Sequence, residues 1–74
     1  MNKDLFAEIR LQEMIELQRK KLLKLSREIL PNLTPEDLRN PQDFPELIKD
    51  PSFNYEDGLL AGYLAVQTAM RSRL

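Results

Sequence analysis

The chain contains no cysteine and no histidine, and only two of its 74 residues are glycine. Without cysteine and histidine it has no disulfide, no thiolate nucleophile, no imidazole for acid–base catalysis and no Cys/His metal site. Both glycines, Gly58 and Gly62, fall within a helical pattern, which excludes a glycine-rich phosphate loop. We therefore predict no catalytic, cofactor-binding or metal-binding residue, no small-molecule substrate, and a protein that is not an enzyme.

Long apolar runs are also missing. No stretch of about 18 apolar residues occurs, so no membrane span is predicted. The start of the chain mixes charged and apolar side chains and lacks the uninterrupted apolar segment of a secretory signal. A cytoplasmic location is the resulting expectation.

The composition is typical of a small helical protein, with 42% hydrophobic and 31% charged residues. We predict one helical domain over residues 1–74. A chain of this length buries only about 60% of the surface that its unfolded form exposes, so self-association is expected. The net charge of −1 combines +2 over residues 1–30, −5 over 31–58 and +2 over 59–74. This distribution disfavours nucleic acid as a partner, because nucleic acid requires a basic surface.

A first long helix is predicted over about residues 4–30, because good helix formers dominate there and no glycine or proline occurs before Pro31. Asn2 or Asp4 would cap it. Six positions alternate in steps of four and three, the heptad spacing of a coiled-coil interface: Leu11, Ile15, Gln18, Leu22, Leu25 and Ile29. We call these positions the seam. Gln18 has two interpretations, since it either fixes the register of the seam or lies at its rim and reaches water.

All five prolines lie in the next segment, residues 31–53, which we predict to be an ordered crossover with one or two short helical turns. Thr34-Pro35-Glu36-Asp37 combines a capping residue, proline at the first helical position and acids behind it, and Asn40-Pro41-Gln42-Asp43 repeats the arrangement. Both stretches are typical of helix starts.

The last helix is predicted over about residues 54–73, with Asn54 as its cap; a start at Asp50 and Pro51 is the alternative. Its large apolar residues form one stripe, made of Tyr55, Leu59, Tyr63, Val66, Met70 and Leu74. Beside the stripe lies a strip of helix-packing small residues, Gly58, Ala61, Gly62, Ala65 and Ala69, interpreted as a tight contact within the hairpin. Leu60 and Leu64 lie on a further side and are candidates for an additional interface.

A basic cluster on the first helix comprises Arg19, Lys20, Lys21, Lys24 and Arg27. It either contacts an anion or an acidic partner, or it is a solvated face that pairs with the acidic crossover. The interleaved leucines and the lack of aromatic residues favour the second interpretation.

These patterns predict an all-α antiparallel helical hairpin that dimerises into a four-helix bundle. The predicted interface residues are the six seam positions together with Leu60 and Leu64. The predicted function is a non-enzymatic protein–protein interaction module, such as a small adaptor or assembly chaperone, whose partner is another protein or a second copy. The alternatives are a nucleic-acid-binding hairpin that uses the basic cluster, and a purely structural subunit of a larger assembly.

Overall fold

A computed structural model describes the backbone of residues 3–72 and the side chains of residues 5–72. Helix α1 spans Lys3–Ile29, two 3-10 turns span Asp37–Arg39 and Pro41–Asp43, the short helix α2 spans Pro45–Ile48, and α3 spans Pro51–Ser72. No strand occurs within residues 3–72, which confirms the all-α class. Neither α1 nor α3, nor any other helix in this range, is long and apolar enough to cross a membrane.

Helix α1 ends where the sequence predicts, one residue before Leu30 and two before Pro31. The chain then turns sharply, and Arg27 stabilises the turn because its Nε donates a hydrogen bond of 2.8 Å to the carbonyl oxygen of Leu33. Leu33 is buried in the core just beyond the turn. At the other end of α1, the predicted cap Asn2 and the side chain of Asp4 lie outside the described residues.

The crossover is ordered and contains three short helical segments, one more than the largest number predicted. Thr34 and Asp37 form a reciprocal cap: Thr34 Oγ1 accepts from the Asp37 amide at 3.2 Å, and Asp37 Oδ2 accepts from the Thr34 amide at 3.0 Å. Proline stands at the first position of the second 3-10 turn and of α2, where its missing N–H leaves no hydrogen bond unmade. Pro41 and Pro45 thus each start a short helical segment.

Helix α3 begins at Pro51, so the alternative start is the correct one and the start near Asn54 is wrong. Asp50 is the cap, because its Oδ1 accepts a 2.9 Å hydrogen bond from the Phe53 amide. The Asn54 side chain instead donates to the carbonyl oxygen of Ile48 at 2.9 Å. The earlier start places Phe53 in the first turn of α3, where it is buried in the core.

The two long helices pack against each other, as predicted. They run antiparallel, since the side chain of Gln12 contacts Gln67 near the C-terminal end of α3, and Gln18 contacts Glu56 near its N-terminal end. The core contains residues from every part of the chain, namely Leu11, Ile15, Leu22, Leu33, Leu47, Phe53 and Leu60. The result is an elongated hairpin that measures 44 × 20 × 19 Å and is closed at one end by the crossover.

Candidate functional site

The seam of α1 is used within the chain. Leu11, Ile15 and Leu22 are buried core residues, and Gln18 is only 7% exposed. The last two seam positions, Leu25 and Ile29, are half-buried near the crossover. The seam therefore packs on α3 and the crossover, and most of it is not available to another molecule.

Two polar contacts fix the register of the hairpin. Gln18 Nε2 donates to both the backbone oxygen of Glu56, at 2.9 Å, and its Oε1, at 2.8 Å. The other carboxylate oxygen of Glu56 lies 3.6 Å from Lys21 Nζ. Two turns away, Gln67 Nε2 donates to Gln12 Oε1 at 2.6 Å. A sliding of α3 along α1 would break both contacts, so Gln18 contributes to register as well as to packing.

Helix α3 presents a different face to α1 from the one expected. Leu60, assigned to a further interface from the sequence, is 8% exposed and belongs to the core, and Leu64 is half-buried against it. Tyr55 and Val66, from the large apolar stripe, are 66% and 51% exposed. The buried side of α3 also carries Glu56 and Gln67, which made it look polar in the sequence. The side chains of Glu56 and Gln67 form hydrogen bonds with glutamines of α1, and these bonds offset the cost of burying the polar groups.

The strip of small residues does not form the hairpin contact. All five members, Gly58, Ala61, Gly62, Ala65 and Ala69, are exposed. A Cβ atom built on Gly58 or Gly62 would have no heavy atom of the described chain within 4 Å, apart from its own local helix backbone. The interpretation of the strip as a tight contact within the hairpin is therefore wrong, because the strip lies on the outer side of α3.

One side of the hairpin carries large apolar side chains from both helices. The Lys21–Glu56 ion pair marks this side. Seven residues make nearly two helical turns, so Met14, seven before Lys21, and Tyr63, seven after Glu56, lie on the same side as the ion pair. Because the helices are antiparallel, both steps lead in the same direction along the hairpin. Met14 and Tyr63 therefore lie near each other, one on each helix.

We call this side the open face and define it by Met14, Leu17, Leu59, Tyr63, Val66 and Met70. The members on α3 are the stripe predicted from the sequence, without Tyr55 at its edge and without Leu74, which lies outside the described residues. Met14 is 46% and Leu17 66% exposed. Met14 is not among the residues predicted from the sequence, although it precedes Leu17 by three residues, a spacing that places two residues on one side of a helix.

The α3 half of the open face is uncharged, whereas charged side chains border the α1 half, where Leu17 lines a groove with Glu13, Glu16 and Lys20. Residues 58–70 of α3 include no charged side chain at all. On α1, Lys21 is paired with Glu56, and Arg10 Nη1 lies 3.5 Å from Glu13 Oε1. A solvent-facing helix normally carries charged residues on its outer side, so this stretch of more than three turns is unusual for a surface that water alone covers.

The basic cluster lies beside the crossover, and all five of its side chains are exposed. Lys21 is paired with Glu56, and Arg27 bonds the Leu33 carbonyl oxygen. Arg19 lines an open groove of about 610 Å³ together with Arg39 and Glu36 of the crossover. The Lys21–Glu56 ion pair and the Arg27–Leu33 hydrogen bond thus join two basic side chains of α1 to the acidic stretch of residues 31–58.

Two further apolar features lie beyond the six residues of the open face, although Phe6, eleven residues or about three turns before Leu17, is on the same side of α1. Phe6 and Ile9, near the start of α1, are about half exposed, and the guanidinium of Arg10 lies 5.9 Å from the centroid of the Phe6 ring. At the opposite end of the hairpin, Leu30, Leu33 and Phe44 line a shallow cleft of about 290 Å³. Neither feature combines apolar residues from both long helices.

Comparison with protein-family models, curated proteins and solved structures found no significant match to this chain.

Proposed function

We propose that this chain is a non-enzymatic protein–protein interaction module, such as a small adaptor or assembly chaperone, and that its binding surface is the open face. The observation that carries the proposal is the exposure of Met14 and Leu17 on α1 and of Val66 on α3. The other three members of the face, Leu59, Tyr63 and Met70, are half-buried. Exposed apolar patches formed by residues from several secondary-structure elements are typical of protein-binding surfaces, whereas single exposed apolar residues are common on any protein.

The chemistry of this face supports binding rather than catalysis. Its members offer methyl groups, thioethers and one phenol, and the nearby ions Lys21 and Glu56 are paired with each other. Burying such a surface is favourable by about 25 cal/mol for each Å² of apolar area removed from water. It has no activated nucleophile or acid–base group with which to change a substrate.

The four-helix bundle predicted from the sequence remains part of this proposal. The seam that suggested it is covered by α3, so a bundle would form instead by packing a second pair of helices on the open face.

Site-specific photo-crosslinking in the cells that produce the protein tests the proposal. A photoreactive phenylalanine analogue replaces Met14 or Val66 on the open face, and Ile9 in a matched control. Ile9 suits this purpose because it is 48% exposed, close to the 46% of Met14, and lies five residues, or about 140°, away around α1. We expect defined protein adducts from Met14 and Val66 and none from Ile9. Absence of adducts from both open-face positions would refute the proposal.

A further inference from the structure

We infer that the cleft at the crossover end of the hairpin is a second docking site, which takes an extended segment of a protein partner through one apolar side chain flanked by lysine or arginine. Leu30, Leu33 and Phe44 give the cleft its apolar surface, and Asp37 and Glu46 line it as well. The inference goes beyond the proposed function, because the cleft shares no residue with the open face.

The backbone around the cleft is held by hydrogen bonds and by the core. Leu33 is only 3% exposed, and its carbonyl oxygen accepts a 2.8 Å hydrogen bond from Arg27 Nε. The carbonyl oxygen of Phe44 accepts a 2.9 Å hydrogen bond from the Leu47 amide. The side chains of Leu30 and Phe44 are half-buried against the core, so part of each remains open to water. The cleft is therefore formed before a partner arrives, which lowers the entropic cost of binding.

The size of the cleft suits a single large side chain. Its volume is about 290 Å³, just below the range of about 300–1,000 Å³ in which pockets enclose a whole small molecule. A helix with its side chains is about 10–12 Å across, so even one turn of 5.4 Å occupies roughly 400 Å³ or more. A helical partner therefore does not fit, whereas an extended segment can insert one apolar side chain against Phe44 and the two leucines.

Both charged side chains that line the cleft are acidic. Glu46 is exposed and forms no ion pair with any residue that the structure describes. Asp37 is half-buried, and its Oδ2 accepts a 3.0 Å hydrogen bond from the Thr34 amide. Asn32, the remaining polar member of the lining, is uncharged. The cleft thus offers carboxylate oxygens and no cation to the residues that flank an inserted side chain.

The surroundings of the cleft have the same sign. The crossover from Pro31 to Asp50 contains five acidic and two basic residues, a net charge of −3. In the last turns of α1 the charges of Arg27 and Glu28 cancel, and Arg27 Nε is bonded to the crossover. A basic segment is therefore attracted to this end of the hairpin and an acidic one repelled. This complementarity is what selects lysine or arginine on either side of the apolar residue.

Tryptophan fluorescence tests the inference, because the chain itself contains no tryptophan. The probe is the acetylated and amidated peptide Lys-Lys-Trp-Lys-Lys, titrated with the protein at low ionic strength. We expect its emission to move to shorter wavelengths as the indole ring leaves water. The peptide Glu-Glu-Trp-Glu-Glu is expected to bind about tenfold more weakly or not at all. The peptide Lys-Lys-Ser-Lys-Lys keeps the charges without the apolar side chain, and is expected not to displace the probe at equal concentration.

Two charge reversals distinguish the cleft from the net charge of the protein. Glu46→Lys reverses the exposed charge of the cleft and is expected to weaken binding of the basic probe by about tenfold. Glu16→Lys makes the same change at an exposed position of α1, fourteen residues or about 21 Å at helical rise before Leu30. It is expected to alter the dissociation constant less than about twofold, because it leaves the cleft as it is. Circular dichroism verifies that both variants keep their helices.

An emission shift that Glu46→Lys abolishes and Glu16→Lys spares would support the inference. No shift of the basic probe at millimolar protein would overturn it. Equal weakening by the two substitutions, or displacement of the probe by the serine peptide, would show attraction by net charge alone and would overturn it as well. The photo-crosslinking experiment on the open face is a separate measurement, because Met14 and Val66 do not line the cleft. Failure of one proposal therefore leaves the other standing.

Discussion

Replacement of Gln18 by leucine is expected to destabilise the fold, although it puts an apolar residue at a buried position. The Gln18 side chain donates two hydrogen bonds to Glu56, one to a neutral carbonyl oxygen and one to a carboxylate. Bonds of the first kind contribute about 1 kcal/mol net, and bonds to charged groups about 1.5–3 kcal/mol. Leucine recovers part of this sum by burying its methyl groups. We therefore expect Gln18→Leu to lower the free energy of unfolding by about 2 kcal/mol.

This loss is large for so short a chain. At about 0.05–0.15 kcal/mol per residue, a domain of this length has a total stability of roughly 4–11 kcal/mol. A loss of 2 kcal/mol corresponds to a fall in Tm of about 8–16 °C. Urea titration followed by circular dichroism measures it, at one fixed protein concentration because dimerisation would add to the apparent stability. Gln42→Leu, at an exposed glutamine of the crossover, is the matched control and is expected to change stability by less than about 0.5 kcal/mol.

A double-mutant cycle tests whether the loss of stability comes from the contact between Gln18 and Glu56. In Gln18→Leu the buried carboxylate of Glu56 keeps only its contact with Lys21, whereas in Gln18→Leu/Glu56→Leu no carboxylate remains to be satisfied. The loss of unfolding free energy in the double variant is therefore expected to be smaller than the sum of the two single losses, by about 1 kcal/mol or more. Additive losses, or a Gln18→Leu variant as stable as the wild type, would show that this contact does not hold the two helices in register.

Three further substitutions have defined outcomes in the same denaturation assay. Ser26→Ala is expected to raise the free energy of unfolding by about 1 kcal/mol, because the Ser26 hydroxyl is fully buried and has no hydrogen-bond partner; a loss would show that the hydroxyl has an acceptor. Asp50→Ala is expected to cost about 1 kcal/mol through the lost cap of α3, whereas Asp50→Asn, which retains an acceptor, should be nearly neutral. Gly62→Ala is expected to gain about 0.5–1 kcal/mol, because the position is helical and open; destabilisation would mean that something packs on the small strip.

Local signals were sufficient to predict α1 and much of the crossover. The spacing of Leu11, Ile15 and Leu22 depends only on helical periodicity, and the three side chains are buried together. The reciprocal cap of Thr34 and Asp37 forms between residues three apart, so its geometry is contained in the segment itself. At the start of α3, by contrast, the sequence offers two possible caps, Asp50 and Asn54, only four residues apart. The choice between them depended on the burial of Phe53, which only the assembled core provides.

The orientation of α3 was beyond local signals because its decisive contacts join residues far apart in the chain. Considered alone, α3 has its largest apolar side chains on the stripe from Tyr55 to Met70, and burial of apolar area favours turning that stripe inwards. The side containing Glu56 and Gln67 is disfavoured until their groups meet the amides of Gln18 and Gln12, 38 and 55 residues away. Once those bonds form, the cost of burying the polar groups is largely removed, and Phe53 and Leu60 supply the apolar contact. The polar pairs thus leave Tyr55 and Val66 of the stripe exposed, while Tyr63 and Met70 are only partly buried against the core.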